Sequence, residues 1–296
     1  LKIACLNCNG LREMEKFERV IRKFKTDVIC LQETHWSNDK MSDIKKVWGE
    51  EIYVNHGSQR ACGVAILLKK GGIHNVKQIH NDGNGRLLGI DFMYYNESFR
   101  LLNLYAPNIE TERKEVFKTM KPLCTGNCIV VGDFNVWCTR LDVSKSINFK
   151  SDASRRYLNE LMQNLGVLDV WRDLHPSKRE YSYYYSPHAV YNRIDYFFMF
   201  SRDRHRVKEC EMKAADVSDH ATLYLTLNLN DRKADKIWRL NTSILGKTEV
   251  VAQNKSEIEL YVENNDNGEV SPIILWDAAK AVLRGKIISI TTTLKK

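Results

Sequence analysis

Short apolar runs followed by polar residues recur along the first 229 residues. The clearest is residues 127–135, where Ile-Val-Val leads to Gly132 and then to Asp133 and Asn135, two residues apart. An apolar run bounded by turn-forming residues is typical of a strand buried on both faces. By the same pattern we predict further strands at residues 2–6, 27–32, 63–68, 87–95, 99–105, 181–185, 196–200 and 221–227.

Apolar residues recur at helical spacing between several of these runs. Phe17, Val20, Ile21 and Phe24 predict one amphipathic helix, and residues 112–123 and 154–165 predict two more. Ser271 and Pro272 have the sequence of a helix start, followed by an apolar stripe. Strands alternating with amphipathic helices favour stacked sheets with helices on their outer faces, an α/β sandwich.

Polar residues that could act in catalysis or bind a metal lie at the ends or beginnings of the predicted strands. Those at strand ends are Asn7, Glu33, Tyr105 and Asp133. Those at strand beginnings are Asp195, Asp219 and His220. In antiparallel pairing the end of one strand neighbours the beginning of the next, so we expect these groups to converge on one edge.

The residue types indicate a metal site. Glu33 and Asp219 supply hard oxygen ligands, and Asn9 supplies a neutral third. Such ligands suit Mg²⁺ better than a soft metal, and Mn²⁺ is the second candidate. Few protein ligands would leave the metal able to hold a phosphate oxygen.

The remaining residues fit hydrolysis of a phosphodiester. Asp195 can fix the tautomer of His220, and Asp133 can orient or deprotonate an attacking water. Donors to the transition-state charge would be Asn7, Asn135, Tyr105 and His220. Taken singly, each residue has an ordinary interpretation, such as a solvated carboxylate or a structural histidine. Their recurrence at six strand termini favours metal-assisted hydrolysis.

Composition is consistent with a globular protein that meets a polyanion. The 296 residues are 43% hydrophobic and 28% charged, and 45 Lys and Arg against 37 Asp and Glu give a net charge of +8. This charge suits nucleic acid, with solubility as the alternative explanation. No apolar run approaches the roughly 20 residues of a membrane span. The chain begins with Leu, so we expect it to be a piece of a longer protein.

The eight cysteines are too sparse for a disulfide scaffold. Cys5 and Cys8 form a C-x-x-C, but no second pair follows at zinc-finger spacing. We expect reduced thiols that mostly fill the core.

Six ordered motifs resemble those of the endonuclease/exonuclease/phosphatase superfamily over residues 1–229. They are Leu6-Asn7-Cys8-Asn9-Gly10-Leu11, Leu31-Gln32-Glu33-Thr34-His35, Leu104-Tyr105-Ala106-Pro107-Asn108, Gly132-Asp133-Phe134-Asn135, Arg193-Ile194-Asp195-Tyr196 and Ser218-Asp219-His220. Within the superfamily, the chain most resembles the endonuclease domain of LINE-type, non-LTR retrotransposons. The resemblance implies a four-layer α/β sandwich of two packed, mixed, largely antiparallel sheets flanked by helices. It also implies a nuclear enzyme that nicks DNA and exposes a 3′-hydroxyl to prime reverse transcription.

The resemblance assigns roles to individual positions. The family positions that contact or polarise the scissile phosphate correspond to Asn7, Tyr105, Asn135 and His220. The principal metal ligand matches Glu33, with Asn9 and Asp219 beside it. Asp133 matches the water-orienting acid, Asp195 the partner of the histidine, and Ser182 a position near the DNA backbone. Abasic-site repair relatives generally carry an acid where this chain has Asn9, which weakens a repair interpretation.

A loop at residues 186–193 resembles the hairpin that these nucleases press into a DNA groove, and an ordinary surface hairpin is the alternative. The DNA-binding candidates are Ser182, His188, Tyr191, Arg193, Arg155 and Arg156. Target preference would then come largely from DNA shape and deformability.

Residues 230–296 are predicted to be a separate segment. A charged stretch at residues 230–236 reads as a linker, and a small helical appendage follows it. Residues 238–241 and 275–278 resemble the segment that joins endonuclease to reverse transcriptase in LINE proteins. We therefore expect double-stranded DNA as partner and a reverse transcriptase continuous with this chain. The rival functions are abasic-site repair, another phosphoesterase of the superfamily, and an inactive DNA-binding copy.

Overall fold

The computed structural model describes residues 1–57, 62–145, 149–214, 216–229, 246–266, 268 and 270–293. Its contacts divide the chain into two compact units, residues 1–231 and residues 232–296. The predicted linker at residues 230–236 and the segment at residues 238–241 lie outside the described residues.

Two six-stranded sheets form the first unit. Sheet A has the strand order β13-β14-β1-β2-β4-β3. Its strands in chain order are β1 (Lys2–Asn7), β2 (Val28–Gln32), β3 (Glu51–Asn55), β4 (Val64–Leu68), β13 (Val207–Lys213) and β14 (Thr222–Leu227). Only the β1–β2 pair within this sheet's described strands is parallel.

Sheet B has the strand order β5-β6-β7-β8-β12-β9. Its strands are β5 (Ile73–Asn81), β6 (Leu87–Tyr94), β7 (Glu97–Tyr105), β8 (Cys128–Asp133), β9 (Val167–Asp169) and β12 (Asp195–Phe200). Here the β7–β8 pair is parallel and the other described pairs are antiparallel. A separate two-stranded hairpin consists of β10 (Tyr183–Tyr185) and β11 (Val190–Asn192). The predicted mixed, largely antiparallel sheets are confirmed.

Helices cover the outer face of each sheet. These helices are α1 (Met14–Lys23), α2 (Met41–Trp48), α3 (Glu110–Met120) and α4 (Ala153–Leu165), whereas the short α5 (Val170–Leu174) contributes to the core between the sheets. Phe17 of α1 and Ile44 of α2 belong to one core with outward-facing residues of sheet A. Phe117 of α3 and Leu158 of α4 belong to another with residues of sheet B. The predicted four-layer sandwich is therefore confirmed.

The alternation of side chains explains why the central strands are apolar throughout. In β1, Ile3 and Cys5 lie in the core between the sheets, whereas Ala4 and Leu6 lie in the core under the helices. Successive side chains of a strand point to opposite faces, so a strand covered on both sides needs apolar residues at every position. Of the strands that carry the candidate site, β2, β8 and β12 are buried along their whole length.

The second unit contains two helices, α6 (Thr248–Asn265) and α7 (Pro272–Thr293). The helix predicted to begin at Pro272 is confirmed. The Ser271 carbonyl accepts the Leu275 N–H at 3.0 Å, and the Ser271 hydroxyl accepts the Ile274 N–H at 3.4 Å. No helix among the described residues has the length and apolar character needed to cross a membrane. The eight cysteines, all within the described residues, form no disulfide.

Candidate active site

Strands of both sheets deliver polar residues to one edge of the sandwich. In sheet B, Asp133 at the end of β8 lies directly beside Tyr105 of β7 and Asp195 of β12. Sheet A contributes Asn7 at the end of β1 and Glu33, which follows β2. The sequence-predicted convergence of strand ends and beginnings is thus present in the structure.

Asn7 connects the groups contributed by the two sheets. Its Nδ2 donates to Glu33 Oε1 and to Asp133 Oδ2, both at 2.9 Å. Its Oδ1 accepts the backbone N–H of Asn9 at 3.0 Å. One buried amide therefore fixes the distance between the two carboxylates, and it also holds the turn that carries Asn9.

His220 is held by Asp195. The ring Nδ1 lies 2.9 Å from Asp195 Oδ2, and both residues are buried. Burial lowers the pKa of His220, but the Asp195 carboxylate outweighs it and the pKa rises to about 10. The imidazole is therefore a cation at neutral pH. Since Nδ1 faces Asp195, Nε2 is the ring nitrogen that can meet a substrate.

Asp133 is a buried carboxyl with a raised pKa. Burial and then the neighbouring Asp195 charge raise its pKa to about 7. Its Oδ1 accepts the backbone N–H of Asn135 at 2.9 Å, and the Asn135 amide donates to the Ala106 carbonyl at 2.8 Å. A carboxyl that titrates near neutral pH is suited to take a proton from water.

One cavity of about 440 Å³ opens among these residues. Its lining includes most of the predicted site: Asn9, Glu33, Tyr105, Asp133, Asn135, Asp219 and His220. Asn7 and Asp195 hydrogen-bond to residues of this lining: Asn7 to Glu33 and Asp133, and Asp195 to His220. The structure therefore brings together all nine residues that were predicted for catalysis and metal binding.

The cavity has oxygen donors suited to a hard divalent cation. Glu33 lines it together with Asn9 and Asp219, both of which are exposed. A second group of ligand atoms, from Asp133, Asp195 and His220, lies within 4.8 Å. His220 Nδ1 and Asp195 Oδ2 already share a hydrogen bond with each other. The oxygen donors at Glu33, which line the cavity, are the better candidates to hold a hard divalent cation.

The pattern of the Endonuclease/Exonuclease/phosphatase family matches residues 4–220. The chain belongs to the endonuclease/exonuclease/phosphatase family. This family of phosphoester-cleaving enzymes generally depends on divalent metals.

Several members of the family are similar to the chain. It is 27% identical over 256 residues to the "Transposon TX1 uncharacterized 149 kDa protein" of Xenopus laevis, covering 83% of this chain and 19% of that protein. It is 26% identical over 274 residues to a DNA-(apurinic or apyrimidinic site) endonuclease of Dictyostelium discoideum, covering 78% and 71%. The chain shares its fold with the crystal structure of the Xenopus laevis APE2 catalytic domain. The TM-score is 0.65 at 18% sequence identity, and the match covers 77% of this chain and 92% of that one. The chain spans less than a fifth of the transposon protein.

Three residues predicted to bind DNA have other roles in this family member. Ser182 is buried and donates to Asp195 Oδ2 at 2.6 Å. Arg193 is fully buried and forms ion pairs with Asp142 and Asp169. Arg155 is also buried, and its guanidinium lies over the Phe149 ring at 3.9 Å. Their polar atoms bind other groups of the protein, which argues against direct contact with DNA, and the assignment stays a prediction.

The other three DNA-binding candidates lie on the surface. Tyr191 and His188 are exposed on the hairpin of β10 and β11, and Arg156 is exposed on α4. Hairpin residues Tyr183 and Tyr185 also line the catalytic cavity. The positions of Tyr191 and His188 are compatible with contact to DNA, which stays a prediction.

Three supporting residues were missed by sequence reasoning. Ser218 Oγ donates to the Asn7 carbonyl at 2.6 Å and accepts the His220 N–H at 3.2 Å. His35 Nε2 lies 3.5 Å from Glu33 Oε2. The Arg86 guanidinium lies over the Tyr105 ring at 4.7 Å. Ser218 and His35 belong to motifs that were recognised, whereas no pattern in the sequence indicates Arg86.

Proposed function

We propose that the chain is a divalent-metal-dependent endonuclease that nicks one strand of double-stranded DNA. The observation that carries the proposal is the Asn7 amide shared by Glu33 and Asp133, with 2.9 Å to each. This contact places a hard metal ligand next to a carboxyl whose pKa is about 7. A hydrolase needs these two functions side by side, since one neutralises the phosphate and the other activates water.

Asp133 would orient a water molecule in line with the scissile phosphorus and take its proton during attack. The new bond joins water oxygen to phosphorus, and the P–O3′ bond breaks, so the leaving 3′-oxygen takes a proton to become a hydroxyl. His220 Nε2, Asn135 and Tyr105 would donate hydrogen bonds to the phosphate oxygens. Glu33, with Asn9 and Asp219 beside it, would hold Mg²⁺ or Mn²⁺, which supplies charge neutralisation when bound.

The 3′-hydroxyl left by such a nick would prime reverse transcription in retrotransposition. Similarity to a transposon protein, of which the chain spans 19%, supports this role. Asn9, where an acid is usual in repair enzymes, also supports it. On this proposal the parent protein works in the nucleus, and a reverse transcriptase continues the same chain.

Abasic-site repair is the second candidate, favoured by the similarity to the Dictyostelium endonuclease. The two functions predict different substrates. A repair enzyme would cut a duplex with one abasic site far faster than an intact duplex. A retrotransposon nuclease would cut both at similar rates, with preferences set by sequence.

Nicking of supercoiled plasmid tests the proposal. Wild-type protein should convert it to open circles with Mg²⁺ but not with EDTA, and Asp133→Ala and His220→Ala should abolish conversion. Asp39→Ala and His205→Ala, at exposed positions, are the matched controls. Extension of the nicked strand by a polymerase would report the 3′-hydroxyl. Salt-sensitive binding without any nicking would instead identify an inactive DNA-binding copy. Absence of both would leave small phosphoesters as the substrate.

A further inference from the structure

The hairpin of β10 and β11 carries a row of three tyrosines. Tyr184 and Tyr191 lie directly opposite each other in the two strands, with ring centroids 4.6 Å apart. The Tyr181 ring lies 6.0 Å from that of Tyr191. Tyr184 is 40% exposed and Tyr191 is 51% exposed. Contiguous exposed aromatic surface is uncommon on a protein and marks a site of interaction.

These rings border a hollow that adjoins the catalytic cavity and shares Tyr183, Asp219 and His220 with it. Tyr181, Tyr184 and Tyr191 line this hollow of about 170 Å³, and its lining also includes Ser218, Asp219 and His220. Tyr185, in contrast, lines the catalytic cavity. His220 lines both the hollow and the catalytic cavity. A group bound in the hollow would therefore lie next to the His220 side chain, which also borders the proposed position of the scissile phosphate.

The chemistry of the row points to a planar, uncharged ligand. Residues 181–193 contain no acidic side chain, and their one arginine, Arg193, is buried in ion pairs. The flat aromatic surface of the three tyrosine rings suits the face of a nucleobase better than a phosphate. The net charge of +8 suits the strand to which that base belongs.

We propose that Tyr181, Tyr184 and Tyr191 form a stacking site for one unpaired nucleobase next to the scissile phosphate. This inference rests on the proposed function in that it takes DNA as the substrate. A base inside a duplex has both faces covered by its neighbours, so only an unstacked base can offer a face to the tyrosines. Cutting would then favour pyrimidine–purine steps and mismatches, where unstacking is easiest. Stacking itself would tolerate any base, because each has an aromatic face.

Fluorescence of 2-aminopurine, a base analogue quenched by stacking, tests the proposal. Single-stranded oligonucleotides and duplexes with one unpaired 2-aminopurine would be titrated with the full chain in EDTA, which prevents cleavage. Wild-type protein should change the fluorescence on binding. Tyr184→Leu/Tyr191→Leu should weaken binding of the unpaired probe about 5- to 150-fold, the range for loss of one stacked base. Fully paired duplex should lose less than threefold.

Two controls separate stacking from damage to the fold. Tyr184→Phe/Tyr191→Phe keeps the rings and should bind like wild type. Tyr95→Leu removes a tyrosine that is 64% exposed and precedes β7, at the opposite end from Tyr105, and should have no effect. An equal loss on paired and unpaired probes, or an unchanged fluorescence with wild type, would overturn the stacking site.

The binding readout does not depend on hydrolysis, so the two proposals can fail separately. Protein that binds and changes the fluorescence but never nicks DNA would retain the stacking site and reject the nuclease. Protein that nicks DNA but leaves the 2-aminopurine fluorescence unchanged would retain the nuclease and reject the stacking site.

Discussion

Gln32 donates a 2.6 Å hydrogen bond to Asn103 Oδ1 across the space between the two sheets. Asn103 Nδ2 in turn donates to the carbonyls of Leu31 and Ala65, at 3.0 and 2.8 Å. Both amides are fully buried in an otherwise apolar interface. Gln32 immediately precedes Glu33, so this bridge fixes the two sheets relative to each other just below the candidate site.

We expect Asn103→Leu to lower both stability and nicking. It removes the Gln32–Asn103 hydrogen bond and the two bonds from Asn103 to carbonyls, which should reduce the free energy of unfolding by about 1–3 kcal/mol. Because the sheets can then shift, Mg²⁺ affinity should fall as well, as measured by isothermal titration calorimetry. Gln32→Leu/Asn103→Leu removes both polar groups and should regain stability but not metal affinity. Asn164→Leu, at an exposed position of α4, is the control. Unchanged metal affinity in folded Asn103→Leu would show that the bridge is structural only.

Arg193→Met should destabilise the protein strongly without a specific effect on DNA binding. The substitution leaves Asp142, which is buried, and Asp169 without a cation that both contact. Breaking a buried ion pair on one side costs about 3–5 kcal/mol. Urea unfolding would measure the loss, and a filter-binding titration of the folded fraction would measure DNA affinity. Arg156→Met, at an exposed position, should leave stability within about 0.5 kcal/mol. A stable Arg193→Met that binds DNA poorly would restore Arg193 as a contact residue.

His220 should make the metal-free protein less stable as pH rises from 6.5 to 10. Its pKa in the folded state is about 10, against 6.5 for an ordinary histidine. The folded chain therefore holds a proton that the unfolded chain has released, and the stabilisation present below pH 6.5 is lost through pH 10.

Urea unfolding in EDTA between pH 7 and 9.5 would measure this effect. The free energy of unfolding of wild type should fall more steeply than that of His220→Gln, by up to about 1.4 kcal/mol per pH unit. His205→Gln, at an exposed position, should follow wild type. Parallel curves for wild type and His220→Gln would contradict the raised pKa.

Replacement of the hairpin tip should change where DNA is cut but not how fast the bond is hydrolysed. The structure limits the exchange to residues 186–189, since Val190, Asn192 and Arg193 are buried. A Gly-Ser turn at this position should redistribute nicks, because the tip carries His188 and no residue of the catalytic lining. Primer extension on nicked plasmid would map the cut sites, and total nicking serves as the internal control. An unchanged map would remove the tip from target selection.

The central strands and the candidate site could be predicted because their signal is local. Strands such as β8 are buried on both faces, so every position is apolar and the polar residue that ends the run stands out. The four edge strands, β3, β5, β9 and β13, were missed. Most residues of β5 and β13 are exposed or half-buried, which leaves no continuous apolar run in the sequence.

The burial of Arg193 could not be predicted for the opposite reason. A charged residue is buried only when distant partners compensate its charge, and Asp142 and Asp169 are 51 and 24 residues away. Likewise, the hydroxyl of Ser182 becomes a support for Asp195 only after the hairpin folds against β12. Sequence patterns identify the residue types of a site more readily than which of them face solvent.

Asn9, Glu33, His35 and Asn135 all adopt left-handed backbone conformations, with φ of 45°, 50°, 53° and 49°. Residues other than glycine adopt this conformation at a cost of order 1–3 kcal/mol each. Asn9→Gly or Asn135→Gly should relieve part of that cost while removing a side chain from the cavity. Selection for thermal stability alone would therefore drive these positions toward glycine. The resulting protein would be more stable, and we expect it to have lost hydrolytic activity. The enzyme thus keeps these side chains although they lower the stability of its folded state.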